Sequence, residues 1–263
     1  MKHQNTASLL SKGYFLPKKL IPKDQIDELR KFIPNVEKLS AEQHQNYGGA
    51  YAGHVNIGLG KKWTAIYASI CEIVFNETGV KLESEYCLIS AGANLNLPNS
   101  FNQRFHTDGD YKLDNLIIHF YIGDVCEKNG PHELVPWSNK SFPTYANFIF
   151  GRLSGKLKTS CLTGKSGQII IRYSNLWHRG TSNTSKVPRY AGTFVMAKKA
   201  VVTEIDGQSL NQKLGVIQSN GFKPTNFGRA YEIFSCRFGF VLGLTRFLSS
   251  LRQKSFWLSL SNL

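Results

Sequence analysis

The stretch Arg104-Phe105-His106-Thr107-Asp108-Gly109-Asp110 places an imidazole and a carboxylate two residues apart. On a β-strand, residues i and i+2 point to the same side, so His106 and Asp108 can bind one metal ion together. A second imidazole completes a face of two histidines and one carboxylate. His178, in Leu176-Trp177-His178-Arg179-Gly180, is the candidate. Such a ligand set leaves coordination positions open and suits Fe(II) and O₂ chemistry. By itself His-x-Asp is a weak signal, because it arises by chance in many chains. Its weight depends on the elements around it.

Those elements begin with a strand over residues 13–16 and a helix over 21–33. The helix is entered through Pro22 and Asp24, as the positive helix end prefers. Ile26, Leu29, Phe32 and Ile33 give it one apolar face, and Pro34 ends it. Residues 40–60, rich in Gly, Asn, Gln and Tyr, read as an irregular segment over the site. A second helix is expected over 63–76, a strand over 86–91, and a turn-rich lead over 94–102 into the His-x-Asp strand. From there the pattern is β: strands over 116–121, 132–136, 168–173 and 189–197, with turns at 127–130 and 164–167 and a less regular stretch over 141–158. Short strands separated by Gly-bearing turns predict a jelly roll whose open mouth can carry a site. The expected class is mainly β with flanking α-helices around a double-stranded β-helix, cupin-like core. Residues 1–200 form that domain, and 201–263 are an extension, helical over 229–251, that packs on it.

The chain has 263 residues, 32 Lys and Arg against 18 Asp and Glu, and a formal charge of +14. That excess favours acidic partners, namely phosphorylated metabolites, anionic lipid or nucleic acid; equally, surface lysines can serve solubility alone. Five scattered cysteines, Cys71, Cys87, Cys126, Cys161 and Cys236, form no CxxC pair and read as reduced thiols. The polar start and the lack of any long apolar run predict a cytoplasmic protein without a secretion signal or membrane span.

Four segments line up with a known pattern: Gln103 to Gly109; Asn129-Gly130-Pro131-His132-Glu133-Leu134-Val135-Pro136-Trp137-Ser138-Asn139-Lys140; Gly167-Gln168-Ile169-Ile170-Ile171; and Trp177-His178-Arg179-Gly180 with Asn183 and Arg189. Together they resemble the phytanoyl-CoA dioxygenase family of Fe(II)/2-oxoglutarate oxygenases, over residues 9 to 198. Trp137-Ser138-Asn139 departs from the Gly-Ser-His usual there, so a different turn is expected. The resemblance implies His106, Asp108 and His178 as iron ligands. It implies Arg189, eleven residues after His178, as the guanidinium that pairs with the far carboxylate of 2-oxoglutarate. It implies O₂ as oxidant, ascorbate as a stimulant, and succinate, CO₂ and a hydroxylated small-molecule, lipid-linked or anionic substrate as the outcome. An acid at 108, rather than a small residue that would open a halide position, favours hydroxylation.

On the strand over 116–121, His119 and Tyr121 share a face with Ile117. If that face looks into the barrel, both can touch 2-oxoglutarate or substrate; if the other face does, His119 is a satisfied polar residue. Gln103 and Arg104 precede the ligands, and either is placed to reach substrate. His132, beside the Asn129-Gly130 turn, reads as structural, and Asn183 as a stabiliser of the turn after His178. Two other readings compete. One is a non-catalytic metal-binding barrel. The other is a nucleic-acid oxygenase of the AlkB type, which would carry a second arginine where Val195 stands; no aromatic stacking platform accompanies a basic run either. The tail mixes Phe, Leu and Trp with Arg229, Arg237, Arg246, Arg252 and Lys254. It can pack on the barrel, the preferred reading, or lie peripherally on an anionic membrane.

Overall fold

The run Leu-Ile-Ile-His-Phe-Tyr at Leu116–Tyr121 is buried at every position. A strand without polar alternation needs cover on both faces, and the architecture supplies it. The computed structural model describes residues 9, 11–31, 52–56, 61–100, 102–103, 105–109, 114–141 and 145–199. In chain order these form β1 (Tyr14–Phe15), α1 (Lys23–Arg30), β2 (Ala52–Asn56), α2 (Lys61–Thr78), α3 (Leu82–Glu85), β3 (Tyr86–Asn96) and β4 (Leu116–Tyr121). There follow β5 (His132–Leu134), α4 (Ser138–Ser141), α5 (Tyr145–Leu153), β6 (Ser160–Leu162), β7 (Ile169–Tyr173), β8 (His178–Gly180) and β9 (Arg189–Lys198). Six strands make one sheet in the order β1-β7-β4-β9-β3-β2, and three make a second in the order β6-β5-β8. All pairs are antiparallel.

Alternation along each strand sorts the side chains. Leu116, Ile118 and Phe120 of β4, Ile169 and Ile171 of β7, and Phe194 and Met196 of β9 pack with Ile26 and Leu29 of α1 and Ile66, Ile70 and Ile73 of α2. The opposite face carries Tyr121, Ile170 and Ala191, which meet Leu134 and Leu162 of the small sheet. The two sheets therefore close on each other as a jelly roll, with the helices on the outer face of the large sheet. Gly192 lets β9 pass β4, since a Cβ there would run into the Phe120 ring. Phe120 is fully buried, so it has no room to retreat. Gly192→Ala is expected to destabilise the protein by roughly 1–3 kcal/mol through overpacking, read as the shift of a urea midpoint; an unchanged midpoint would show that the ring can move.

Several sequence expectations change in detail. β3 runs through Asn96, so the turn-rich lead starts later than expected, and Ala52–Asn56 is a strand paired with β3, not irregular chain. The stretch over 141–158 contains α5, and the short β6 follows it. Trp137 sits at φ 62°, in the left-handed region, where glycine is normally favoured. The four described cysteines are free, and no described helix is long and apolar enough to cross a membrane. The 201–263 extension, the rest of 40–60, Cys236 and Arg104 lie outside the described residues.

Candidate metal centre

His106 and His178 face each other across an antiparallel bridge. The His106 amide donates to the His178 carbonyl at 2.9 Å, and the reverse bond is 3.0 Å. The expected His-x-Asp strand is in fact an extended segment with this isolated bridge. Gln103 N–H pairs with the Gly180 carbonyl at 2.9 Å, but Asp108 N–H reaches the Ser174 carbonyl at 2.8 Å. The partner chain has turned there, since Leu176 N–H bonds back to Tyr173, so the ladder cannot continue. Gly109 lies so close to that turn that a Cβ would come 2.6 Å from Ser174 Oγ.

The residues flanking His106 and His178 hold them in place. Phe105 packs on Phe148 with ring centroids 5.2 Å apart, and Phe148 stacks on Trp177 at 4.4 Å. The Arg179 guanidinium lies 4.4 Å over Phe105, while its Nε donates to Glu133 at 2.6 Å. Phe105 and Trp177 thus anchor the backbone at His106 and His178 to α5 from outside.

One ligand atom from each of His106, Asp108 and His178 lies within 4.8 Å of the others. His106 Nε2 is 3.5 Å from one Asp108 oxygen, and His178 Nε2 is 3.3 Å from the other. His178 Nδ1–H donates to the Leu176 carbonyl at 2.9 Å, which leaves the Nε2 lone pair facing the centre. Orientation of a ligating histidine through its second nitrogen is how protein metal sites fix the tautomer. The donor set therefore fits a divalent metal of the Fe(II) type.

A fourth group, not among the expected site residues, shares the centre. Arg172 projects inward from β7, opposite Ile117 of β4, and is 0% exposed. Its Nη2 is in contact with Asp108 Oδ2 and lies 2.9 Å from His178 Nε2 and 3.2 Å from His119 Nε2.

Register with β9 turns Ile117, His119 and Tyr121 toward the small sheet. His119 Nδ1 bonds to Thr193 Oγ1 at 2.9 Å, and the Tyr121 hydroxyl donates to the Leu162 carbonyl at 2.6 Å. The His132 ring lies 4.8 Å from that of His119 and 5.1 Å from that of His178, and its buried Nε2 has no hydrogen-bond partner. Arg189 starts β9, its Nε donating to the Gly130 carbonyl at 3.1 Å, within electrostatic reach of Tyr121 and His132. Gln103 Oε1 accepts from Gly180 N–H at 2.7 Å and so helps to hold β8. Asn183 donates to the Asn96 and Val187 carbonyls at 2.9 and 2.8 Å, holding the turn after β8.

Burial pushes His119 and His132 well below the ordinary histidine range, helped by Arg172 for the first and by His119 for the second. Burial, then Arg172, lowers His178 to about 4. All three imidazoles are therefore neutral near pH 7 and able to accept. Burial works to raise the Asp108 carboxyl, but His178 and Arg172 beside it outweigh that and hold it well below the carboxylate range.

No protein-family model matches the chain, and no curated protein matches it. Solved structures do. The non-haem α-ketoglutarate-dependent carbocyclase SnoK from nogalamycin biosynthesis is 14% identical, over 74% of this chain and 83% of its own, with a TM-score of 0.57. EctD from S. alaskensis, solved with 2-oxoglutarate and 5-hydroxyectoine, is 16% identical over 74% and 75%, with a TM-score of 0.56. AviO1 from Streptomyces viridochromogenes Tue57 is 13% identical over 74% and 96%, with a TM-score of 0.56. At these identities the likeness establishes the fold: the chain has the jelly roll of non-haem iron enzymes that use 2-oxoglutarate, with a His-Asp-His cluster capable of holding a metal.

Proposed function

We propose that the protein is an Fe(II)- and 2-oxoglutarate-dependent oxygenase of the phytanoyl-CoA dioxygenase-like kind, which hydroxylates a small or lipid-linked molecule bearing an anionic group. The observation that carries this reading is the convergence of His106, Asp108 and His178 donors on one point of a jelly roll. When bound, Fe(II) with O₂ and 2-oxoglutarate supplies the oxidising power for an unactivated C–H bond, with release of succinate and CO₂. The chain's own residues bind and orient. His178, fixed through Leu176, presents a lone pair rather than a proton. Arg189 offers a planar cation to the far carboxylate of the cosubstrate, with Tyr121 and His119 along the same inner face.

The anionic substrate class rests on charge. Among the described residues, the inner side of the barrel carries two buried guanidiniums, Arg172 against Asp108 and Arg189 near Tyr121, and the one carboxylate of Asp108. A divalent metal and a dianionic cosubstrate cancel, which leaves one positive charge without a partner. A buried charge in that condition is costly, and a carboxylate or phosphate on the substrate would meet it.

The test is succinate formation by purified protein with Fe(II), ascorbate and 2-oxoglutarate. Slow uncoupled release that disappears in His178→Ala is expected; release no greater than that of the variant would overturn the reading. A non-catalytic barrel is the second reading, favoured by the contact of Arg172 with two of the three ligands, and the same assay decides between them. Arg189→Ala is expected to weaken 2-oxoglutarate binding by about 2–5 kcal/mol, as loss of one partner of a buried charge pair does. That is roughly 30-fold or more, checked by titrating the cosubstrate; an unchanged affinity would remove Arg189 from this role.

A further inference from the structure

A metal ion and Arg172 cannot use this site together. A neutral imidazole nitrogen without a hydrogen has one lone pair. The bond from His178 Nδ1–H to Leu176 puts that lone pair on Nε2, and Arg172 Nη2 lies 2.9 Å from it. The same Nη2 contacts Asp108 Oδ2 and stands 3.2 Å from His119 Nε2. Three acceptors therefore converge on one nitrogen that has two hydrogens to give. A carboxylate oxygen and two imidazole nitrogens around a point describe a cation site, and Arg172 brings a guanidinium nitrogen to that point. Little else holds it. Arg172 Nε is buried without a partner, Nη1 donates to the Tyr173 carbonyl at 3.2 Å, and the next inward residue on β7 is Ile170.

We propose that Arg172 is a resident cation that keeps the metal-free site assembled and is displaced when the metal binds, so that it sets metal affinity. This rests on the metal reading of the site and goes beyond it. In the metal-free protein the guanidinium neutralises Asp108 and orients His178. On loading, the metal takes the His178 lone pair and the Asp108 oxygen, and the guanidinium moves to another anion. Metal binding is weakened by the contacts that it must break. A residue that merely oriented Asp108 would have the opposite effect, since its loss would weaken the metal.

Calorimetric titration with Mn(II) separates the two. Arg172→Met is expected to bind Mn(II) at least about tenfold more tightly than the wild type. Its metal-free form should melt at a lower temperature, and Mn(II) should raise that temperature by more than in the wild type. Arg172→Lys, a charge without the planar fork, should fall between. Equal or weaker Mn(II) binding by Arg172→Met overturns the proposal. If that variant does not fold, the wild type still decides by NMR of arginine side-chain N–H groups, assigned against Arg172→Lys. Saturating Zn(II) should shift the Arg172 signals, and unmoved signals in protein that calorimetry shows to be loaded overturn the proposal. If the wild type binds no metal, or binds it no better than His178→Ala, the metal reading itself falls and this inference falls with it.

Discussion

Asp108→Ala is expected to lower the stability of the metal-free protein by about 3 kcal/mol, whereas His106→Ala leaves it nearly unchanged. Both changes remove a proposed metal ligand, so both should abolish metal-dependent succinate release. They differ because Asp108 has a second task. Its carboxylate is the counter-ion of Arg172, whose side chain is 0% exposed, while Asp108 keeps 33% of its own exposed. Removing one member of a buried pair costs about 3–5 kcal/mol, because the other is left charged and unpaired. The partial exposure of Asp108 lets water reach it, which places the effect at the lower end. The Arg172 contacts to His119 and His178 would remain, but imidazoles offer no charge. His106, with a side chain 30% exposed, is an imidazole and cannot serve as the counter-ion of a guanidinium. Urea midpoints of the two variants check this. Equal midpoints would show that Arg172 draws its compensation elsewhere, and loss of succinate release in only one would take the other out of the ligand set.

How much of this was legible in the sequence depends on whether the signal was local. His106 and Asp108 are two residues apart, and His178 and Arg189 eleven, so counting along the chain brings them into view. The strands over 116–121 and 168–173 were legible because continuous apolar runs bounded by Gly-bearing turns leave few alternatives. Arg172 was not legible as a site residue. In Ile-Ile-Ile-Arg-Tyr it looks like the polar end of a strand, and only the register placing it opposite Ile117 and beside His119 shows that it points inward. The same holds for His132, whose ring meets His119 and His178 only after β5 pairs with β8. One signal was available: three apolar residues before Arg172, in a run too short for a helix, imply a strand covered on both faces, where an arginine must find an acid. β6 and β8, of three residues each, are set by pairing partners and not by their own residue types. α5 carries aromatic residues and a glycine, which lower helix propensity, and is held by Phe148 packing under Trp177.

The metal-free protein is expected to lose stability steeply as pH falls below about 6.5. His119, His132 and His178 are all held below the ordinary histidine range, first by burial, and His178 is lowered to about 4. In the unfolded chain these imidazoles take up protons near pH 6.5. In the folded protein they stay neutral, since Arg172 already supplies the positive charge between His119 and His178. Below pH 6.5 the unfolded state therefore binds more protons, so stability rises with pH and falls as acid is added. Each such group contributes about 1.4 kcal/mol per pH unit, and for His178 the loss ends once pH passes its folded value near 4. His119 and His178 are 7% and 3% exposed, so solvent screening barely softens their share. Their losses act in the same direction, against the 5–15 kcal/mol typical of a folded domain. Asp108 adds to the loss only in stronger acid, because its lowered pKa contributes stability that persists until pH drops below the ordinary carboxylate value near 4. The measurement is the urea midpoint of metal-free protein between pH 8 and 4.5. It should be level from 8 to 7 and fall below 6.5, and His119→Gln, which can keep a hydrogen bond to Thr193, should lessen the slope by about 1.4 kcal/mol per pH unit. A midpoint that stays level down to pH 5 would mean that these imidazoles are protonated in the fold, which would also deprive any metal of the His178 lone pair.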